Sequence, residues 1–307
     1  VEIKGNDAER FVEFITPRDI SKCKVGQCMY ILLTEKNGGI VNDPILLKLD
    51  ENHFWLSIAD SDVLLWCLGI ASANNFDVEL SEPDVSPLSL QGPKAAKVMQ
   101  KISGSWIKDL KFFYFKQADI IGIPVLVARS GWSGEIGYEI YLMDGSQGND
   151  LWEYIMKVGK EFNIAPAAPN QISRIENGML SYGSDMTLEE TPYDINMGKF
   201  VHLEKNADFL SKSALTKIFN EGASKELVGI EISGNIQSNY DPDHKSIYVN
   251  EEIVGKITSS VFSPRLEKNI AIGIIRKQND KKLVHHIKSN NEKINIKIIS
   301  LPFIRNK

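Results

Sequence analysis

Ala128-Arg129-Ser130-Gly131-Trp132-Ser133-Gly134-Glu135-Ile136-Gly137-Tyr138-Glu139-Ile140-Tyr141 gathers three glycines, two carboxylates and three aromatic rings into fourteen residues. Glycines at 131, 134 and 137 let the backbone turn tightly and come close to a ligand. From Gly137 the chain reads as a strand, in which successive side chains point to opposite faces. Glu139 and Tyr141 therefore share a face, and the turn before them delivers Trp132. A carboxylate between aromatic rings suits a flat heterocycle with N–H donors, because the rings stack and the carboxylate accepts paired hydrogen bonds. The same residues would also build an ordinary β-hairpin with a half-exposed glutamate, so the stretch alone leaves both readings open.

Outward from this hairpin the chain patterns as α+β. Residues 6–15 predict a helix, broken by Thr16-Pro17. Met29–Thr34, Ile40–Leu49 and Phe54–Ile58 read as an antiparallel meander joined by Asn37-Gly38-Gly39 and Asp50-Glu51-Asn52. A helix over Ser61–Ala73 and a strand around Phe76–Leu80 follow. Beyond Gln91-Gly92-Pro93, Ala95, Val98, Met99 and Ile102 recur at helical spacing, with proline at the first turn. Leu151, Tyr154, Ile155, Val158 and Phe162 line one face of a later helix. Asn170 is placed to cap another that runs to Leu180. From Leu227 onward only strands and turns are expected (Val228–Ile232, Ser246–Val249, Glu252–Ile257, Ile270–Ile275, Ile294–Ile299), which predicts a C-terminal β-barrel.

Composition narrows the class of function. A length of 307 residues allows more than one domain. A net charge of -5 argues against an obligate nucleic-acid partner, which needs a concentrated basic surface. The basic cluster Lys277, Lys281, Lys282, His285, His286 and Lys288 reads as a solvated strand-and-turn surface. Cys23, Cys28 and Cys67, odd in number and without ligand spacing, fit free thiols in a reducing compartment rather than a zinc site. The five histidines are scattered, and no metal is expected. No signal peptide is visible and no apolar run reaches the length of a membrane span, so the expectation is a cytoplasmic protein with no membrane partner; a homodimer stays open.

The hairpin resembles the G-Y-T-G-E-x-G-[FY]-E-[IV] signature of the aminomethyltransferase family, the folate-dependent T-proteins of glycine cleavage and their relatives. Four further blocks are similar to that family in the same order. Asn37-Gly38-Gly39-Ile40-Val41-Asn42-Asp43 resembles G-G-x-x-D-D, preceded by Tyr30. Ser173-Arg174-Ile175-Glu176 and Ser181-Tyr182-Gly183-Ser184-Asp185 resemble R-L-E and L-Y-G-x-D. Gly255-Lys256-Ile257-Thr258-Ser259, Phe262-Ser263-Pro264 and Lys268-Asn269-Ile270-Ala271-Ile272-Gly273 look like the family's barrel blocks. The resemblance implies a folate-binding aminomethyltransferase-type core of antiparallel sheets and helices over 1–222 and a C-terminal β-barrel over 223–307. Relatives usually carry a further N-terminal stretch before Val1, so the chain is expected to be truncated there.

For the site, the resemblance implies that Glu139 holds the pterin of tetrahydrofolate and that Asp43 and Tyr30 sit at the reacting centre. Asn170 replaces the arginine of the family's A-R-D-x-L-R-x-E block and inherits its folate-facing position. Trp132 replaces a tyrosine and Asn42 the first acid of D-D. These departures, with Ile15-Thr16-Pro17-Arg18-Asp19 and Ser57-Ile58-Ala59-Asp60-Ser61-Asp62, are similar to the dimethylsulfoniopropionate demethylase branch, in which tetrahydrofolate accepts a methyl group from a sulfonium. Trp132, Tyr141 and Trp106 are then candidates to face the donor, since a sulfonium cation is drawn to aromatic faces, with a core role equally open for Trp106. Ser133-Gly134-Glu135 and Thr191-Pro192-Tyr193-Asp194 depart from that branch, which leaves two alternatives: a glycine-cleavage aminomethyltransferase, or a non-catalytic folate-binding maturation protein.

Overall fold

β1 (Glu2–Lys4) runs into α1 (Ala8–Ile15), whose Ala8, Phe11, Val12 and Ile15 recur at helical spacing and are all fully buried. The computed structural model describes residues 1–58, 62–233, 246–277, 283–289 and 292–304. These fall into two units, the first taking Val1–Phe14, Ile20–Ile31 and Asp43–Asn170, the second Ile15–Asp19, Leu32–Asn42 and the chain from Gln171 onward.

The expected meander is divided between the units. β2 (Cys28–Tyr30), β5 (Ile45–Asp50) and β6 (His53–Ser57) join β1 and β7 (Glu79–Ser81) in a five-stranded sheet ordered β2-β5-β6-β1-β7. β3 (Leu33–Thr34) and β4 (Ile40–Asn42) form a separate two-stranded ribbon in the second unit. The expected strand Ile40–Leu49 therefore breaks at Asp43-Pro44, because proline has no N–H for a ladder. β7 starts later than expected, since Asn75 takes a positive φ of 53° and Phe76–Val78 close a turn. α2 (Val63–Ala73) buries Val63, Cys67 and Ala71; Ser61, where it was expected to begin, lies outside the described residues.

The rest of the first unit is a four-stranded antiparallel sheet, β8 (Ser86–Gln91), β11 (Gly137–Leu142), β10 (Ile123–Ala128) and β9 (Phe115–Ile120) in that order. β8 and β9 carry enough polar residues (Ser86, Ser89, Lys116, Gln117, Asp119) to hide their pattern. One face, with Val125, Val127, Tyr138, Ile140 and Leu142, packs on α3 (Ala95–Ser103) and α4 (Gly148–Gly159). The other brings Leu126, Ala128 and Tyr141 against Cys28, Leu47 and Trp55 of the five-stranded sheet. Each fully buried leucine or isoleucine in such a core contributes about 1.5–3 kcal/mol.

In the second unit, α5 (Gln171–Glu176) is shorter than the helix expected through Leu180, because Gly178 takes φ +64° and the chain turns back. α6 (Lys212–Glu221) precedes a closed barrel of β12 (Lys225–Ile232), β15 (Lys268–Arg276), β14 (Glu252–Ser263), β13 (Ser246–Val249), β16 (His285–Ser289) and β17 (Glu292–Ile299). Its core is Val228, Ile230, Ile247, Ile257, Ala271, Ile275 and Ile287. The cluster expected as a solvated strand-and-turn surface contributes β16, but its His286 is buried rather than solvated; Lys281 and Lys282 of that cluster lie outside the described residues. No described helix is long and apolar enough to cross a membrane.

Candidate active site

Strand register puts the signature glutamate between two sheets. Glu139 of β11 pairs with Ala128 of β10 on one side and Ser89 of β8 on the other. Its neighbours Tyr138 and Ile140 point into the helix-covered core, whereas Glu139 and Tyr141 share the opposite face. Glu139 is half-buried there. Its Oε2 accepts a short hydrogen bond from Ser130 Oγ, which is itself 3% exposed. Tyr141 Oη lies 3.1 Å from Ser57 Oγ and 3.5 Å from the same Glu139 oxygen. One hydroxyl proton serves one acceptor at a time, so the shorter Ser57 bond is the stronger claim on it. Glu139 Oε1 accepts no hydrogen bond from the described residues.

The surroundings hold Tyr141 and Cys28 in one protonation state. Burial pushes the Tyr141 hydroxyl up, and the nearby Glu139 charge adds to it, so tyrosine stays a neutral donor. Burial likewise pushes up the Cys28 thiol, helped by the charges of Glu139 and Cys23; a thiol so held is no nucleophile. Trp55 tilts against Tyr141 with ring centroids 6.2 Å apart, and its indole N–H donates to Glu2 Oε1 at 3.0 Å. Although burial opposes it, bonds from Trp55, Lys4 and His53 hold Glu2 down at about 2, so this anchor stays ionised.

Tyr30 Oη donates to Asp43 Oδ2 at 3.0 Å. Asp43 stands directly before Pro44, where the chain re-enters the first unit. Tyr30 shares a face of β2 with Cys28, two residues back, and Cys28 packs against Tyr141. Tyr30, Asp43, Glu139 and Tyr141 thus belong to one side of the first unit.

The remaining candidates are spread. Trp132 is 37% exposed in the loop between β10 and β11. Trp106, expected as a donor-facing ring, lies instead with the helix-covered core, under Lys116 Nζ at 5.0 Å. It stands on the opposite side of the four-stranded sheet from Glu139, because a sheet separates the residues of its two faces. Asn170 is exposed immediately before α5. Ser57 and Trp55 carry no sequence mark of their role, since they meet Tyr141 from a sheet far earlier in the chain, and Ser130 reaches Glu139 from the loop of its own hairpin. Among the described residues no group of three or more His, Cys, Asp and Glu is placed to hold a metal ion.

The three signature blocks of the second unit converge on one buried cluster. Arg174 donates to Asp185 Oδ2 at 2.5 Å and to Ser259 Oγ at 2.6 Å. Asp185 Oδ1 accepts from Thr258 and Ser259, each at 2.6 Å. This network fastens α5 to β14.

Known proteins match across the same span. The GCVT N-terminal domain family matches residues 1–205, and the glycine cleavage T-protein C-terminal barrel domain family matches 225–304. The chain is 40% identical over 275 residues to the dimethylsulfoniopropionate demethylase DmdA of Ruegeria pomeroyi, covering 90% of this chain and 74% of that protein. It is 35% identical over 283 residues to an aminomethyltransferase of Alkaliphilus metalliredigens, covering 90% and 75%. The crystal structure of glycine cleavage system aminomethyltransferase T from Bartonella henselae superposes with a TM-score of 0.84 at 25% identity, over 99% of this chain and 83% of that one.

Proposed function

The chain belongs to the glycine cleavage T-protein family, and from that membership we propose that it is a tetrahydrofolate-dependent methyltransferase that demethylates dimethylsulfoniopropionate or a similar sulfonium. Residues 1–222 are the folate-binding core in this reading and 223–307 the barrel domain. The observation that carries the site is Glu139 itself. Ser130 donates to Oε2, with the Tyr141 hydroxyl beside it, which leaves Oε1 as the acceptor for a pterin N–H.

A sulfonium is an activated donor. The S–CH3 bond breaks with its electron pair kept by sulfur, the folate N5 lone pair takes the carbon, and the N5 proton is released. Little acid–base work is asked of the protein, and alignment supplies much of the acceleration. Asp43, oriented by Tyr30, is the carboxylate assigned to positive charge near N5. Trp132 attracts the donor cation with its ring face, and Tyr141 lines the slot between Glu139 and Trp55. Asn170 is assigned to the folate tail, where its amide offers hydrogen bonds but no charge. The greater similarity to the demethylase than to the aminomethyltransferase supports the sulfonium donor.

An anaerobic assay with tetrahydrofolate and dimethylsulfoniopropionate, following 5-methyltetrahydrofolate by mass, tests this reading. Turnover supports it; folate binding without product overturns the donor assignment. Glu139→Ala should weaken folate binding and Trp132→Ala mainly the donor, and equal losses of both affinities in each variant would sink that division. The second reading, an aminomethyltransferase acting on a lipoyl-borne group, draws on the Gly134-Glu135 pair and on the relatives of that name. It predicts ammonia release with an aminomethylated lipoyl carrier and none of the methylated product.

A further inference from the structure

The loop between β10 and β11 has no regular structure, yet a ring that is to face a cation must be held in one place. One side chain reaches it at two points. Gln91, the last residue of β8, donates from Nε2 to Ser130 O at 3.3 Å and to Ser89 Oγ at 3.0 Å. Its Oε1 accepts from Ser133 Oγ at 2.8 Å. Ser130 and Ser133 bracket Trp132, Ser130 also bonds Glu139, and Ser89 is the cross-strand partner of Glu139. One amide therefore reaches the loop on both sides of the tryptophan and both neighbours of the carboxylate.

Two signature glycines make room for it. Neither Gly131 nor Gly137 takes a positive φ, so backbone freedom is not what their positions require. A Cβ on Gly131 would lie 2.2 Å from Gln91 Oε1, and one on Gly137 would lie 2.0 Å from the same atom. Both distances are far inside van der Waals contact, so the glycines form a cradle that the Gln91 amide fills.

We infer that Gln91 is a positioning residue that sets the Trp132 loop relative to Glu139, keeping the methyl donor in register with the folate. The inference rests on the assignment of Trp132 to the donor. It is tested with Gln91→Ala, Gly137→Ala and the double variant, each assayed below its melting temperature. Gln91→Ala raises KM for dimethylsulfoniopropionate about tenfold and leaves folate affinity unchanged. The component of emission that Trp132→Phe removes becomes more accessible to acrylamide. Gly137→Ala expels the amide and reproduces both effects, and the double variant is no worse than either single one. Gln91→Glu, which sets a carboxylate oxygen against Ser130 O, behaves like Gln91→Ala. Additive losses, or unchanged quenching in Gln91→Ala, overturn the inference. Quenching needs no donor, so it decides the role of Gln91 even if the donor assignment fails; an unimpaired donor KM in Trp132→Ala overturns that assignment by itself.

Discussion

Ser130 donates to one oxygen of Glu139, so the carboxylate is oriented before any ligand arrives. A hydrogen bond to a charged group is worth about 1.5–3 kcal/mol. Ser130→Ala should therefore weaken tetrahydrofolate binding roughly tenfold, read by calorimetric titration. Circular dichroism should be unaltered, because Ser130 lies outside the strands. The thiols give a second expectation. Cys23, Cys28 and Cys67 are buried, and burial pushes Cys67 up to about 12. Near neutral pH iodoacetamide should label none of them in the native protein and all three in denaturant, which mass spectrometry counts. At this scale, alternation along β11 was enough to pair Glu139 with Tyr141 on one face. Ser57 and Trp55 were not legible, because they reach Tyr141 from a strand of another sheet far earlier in the sequence; Ser130 lies within the hairpin itself, where alternation does not reveal its bond to Glu139. Trp106 takes the core position of its two readings, and its aromatic character alone does not say which face of a sheet it covers.

Among the elements, α5 and β14 are tied by a cluster whose cost of disruption can be reckoned. Arg174 and Asp185 are 2% and 1% exposed, so removing either leaves a charge buried without its partner. Asp185→Ala should cost about 3–5 kcal/mol of stability, seen as a lowered urea midpoint. Asp185→Asn keeps the shape and one acceptor and should cost less. A midpoint unchanged in both variants would mean that the cluster contributes no net stability. Helical spacing located α1, α3 and α4 because each buries one stripe against a sheet. Strand reading failed where polarity or punctuation intervened. β8 and β9 carry solvent-facing serines, lysines and acids; β16 is short and begins with two histidines. Pro44 divides a run that is apolar on both sides of it, and apolar character does not say which sheet each half joins.

For the whole chain, family motifs carried further than patterning, since five short blocks identified a fold whose two units are each assembled from separated segments. Local periodicity has no term for that interleaving, which brings together segments far apart in the chain, as where Ile40 N–H donates to Glu190 O at 3.0 Å. Its consequences reach acid stability through the barrel. His286 is 6% exposed and stacks on Tyr248 at 5.6 Å; among the described residues its Nε2 makes no hydrogen bond, nor does that of His285. Burial lowers both imidazoles below 6.5; Lys293 and Lys288 oppose a proton on His286, and Glu251 favours it. A folded-state value below the unfolded one means that the unfolded chain takes up protons first. The stability these histidines permit is therefore complete above about pH 6.5 and falls as the solution is acidified through that value. Scanning calorimetry should show the unfolding temperature dropping between about pH 7.5 and about pH 5.5, a range in which ordinary carboxylates remain ionised. His286→Phe keeps a flat ring against Tyr248 and removes the titration, so its unfolding temperature should vary less across that interval. An identical slope in the variant would assign the acid sensitivity to groups elsewhere in the chain.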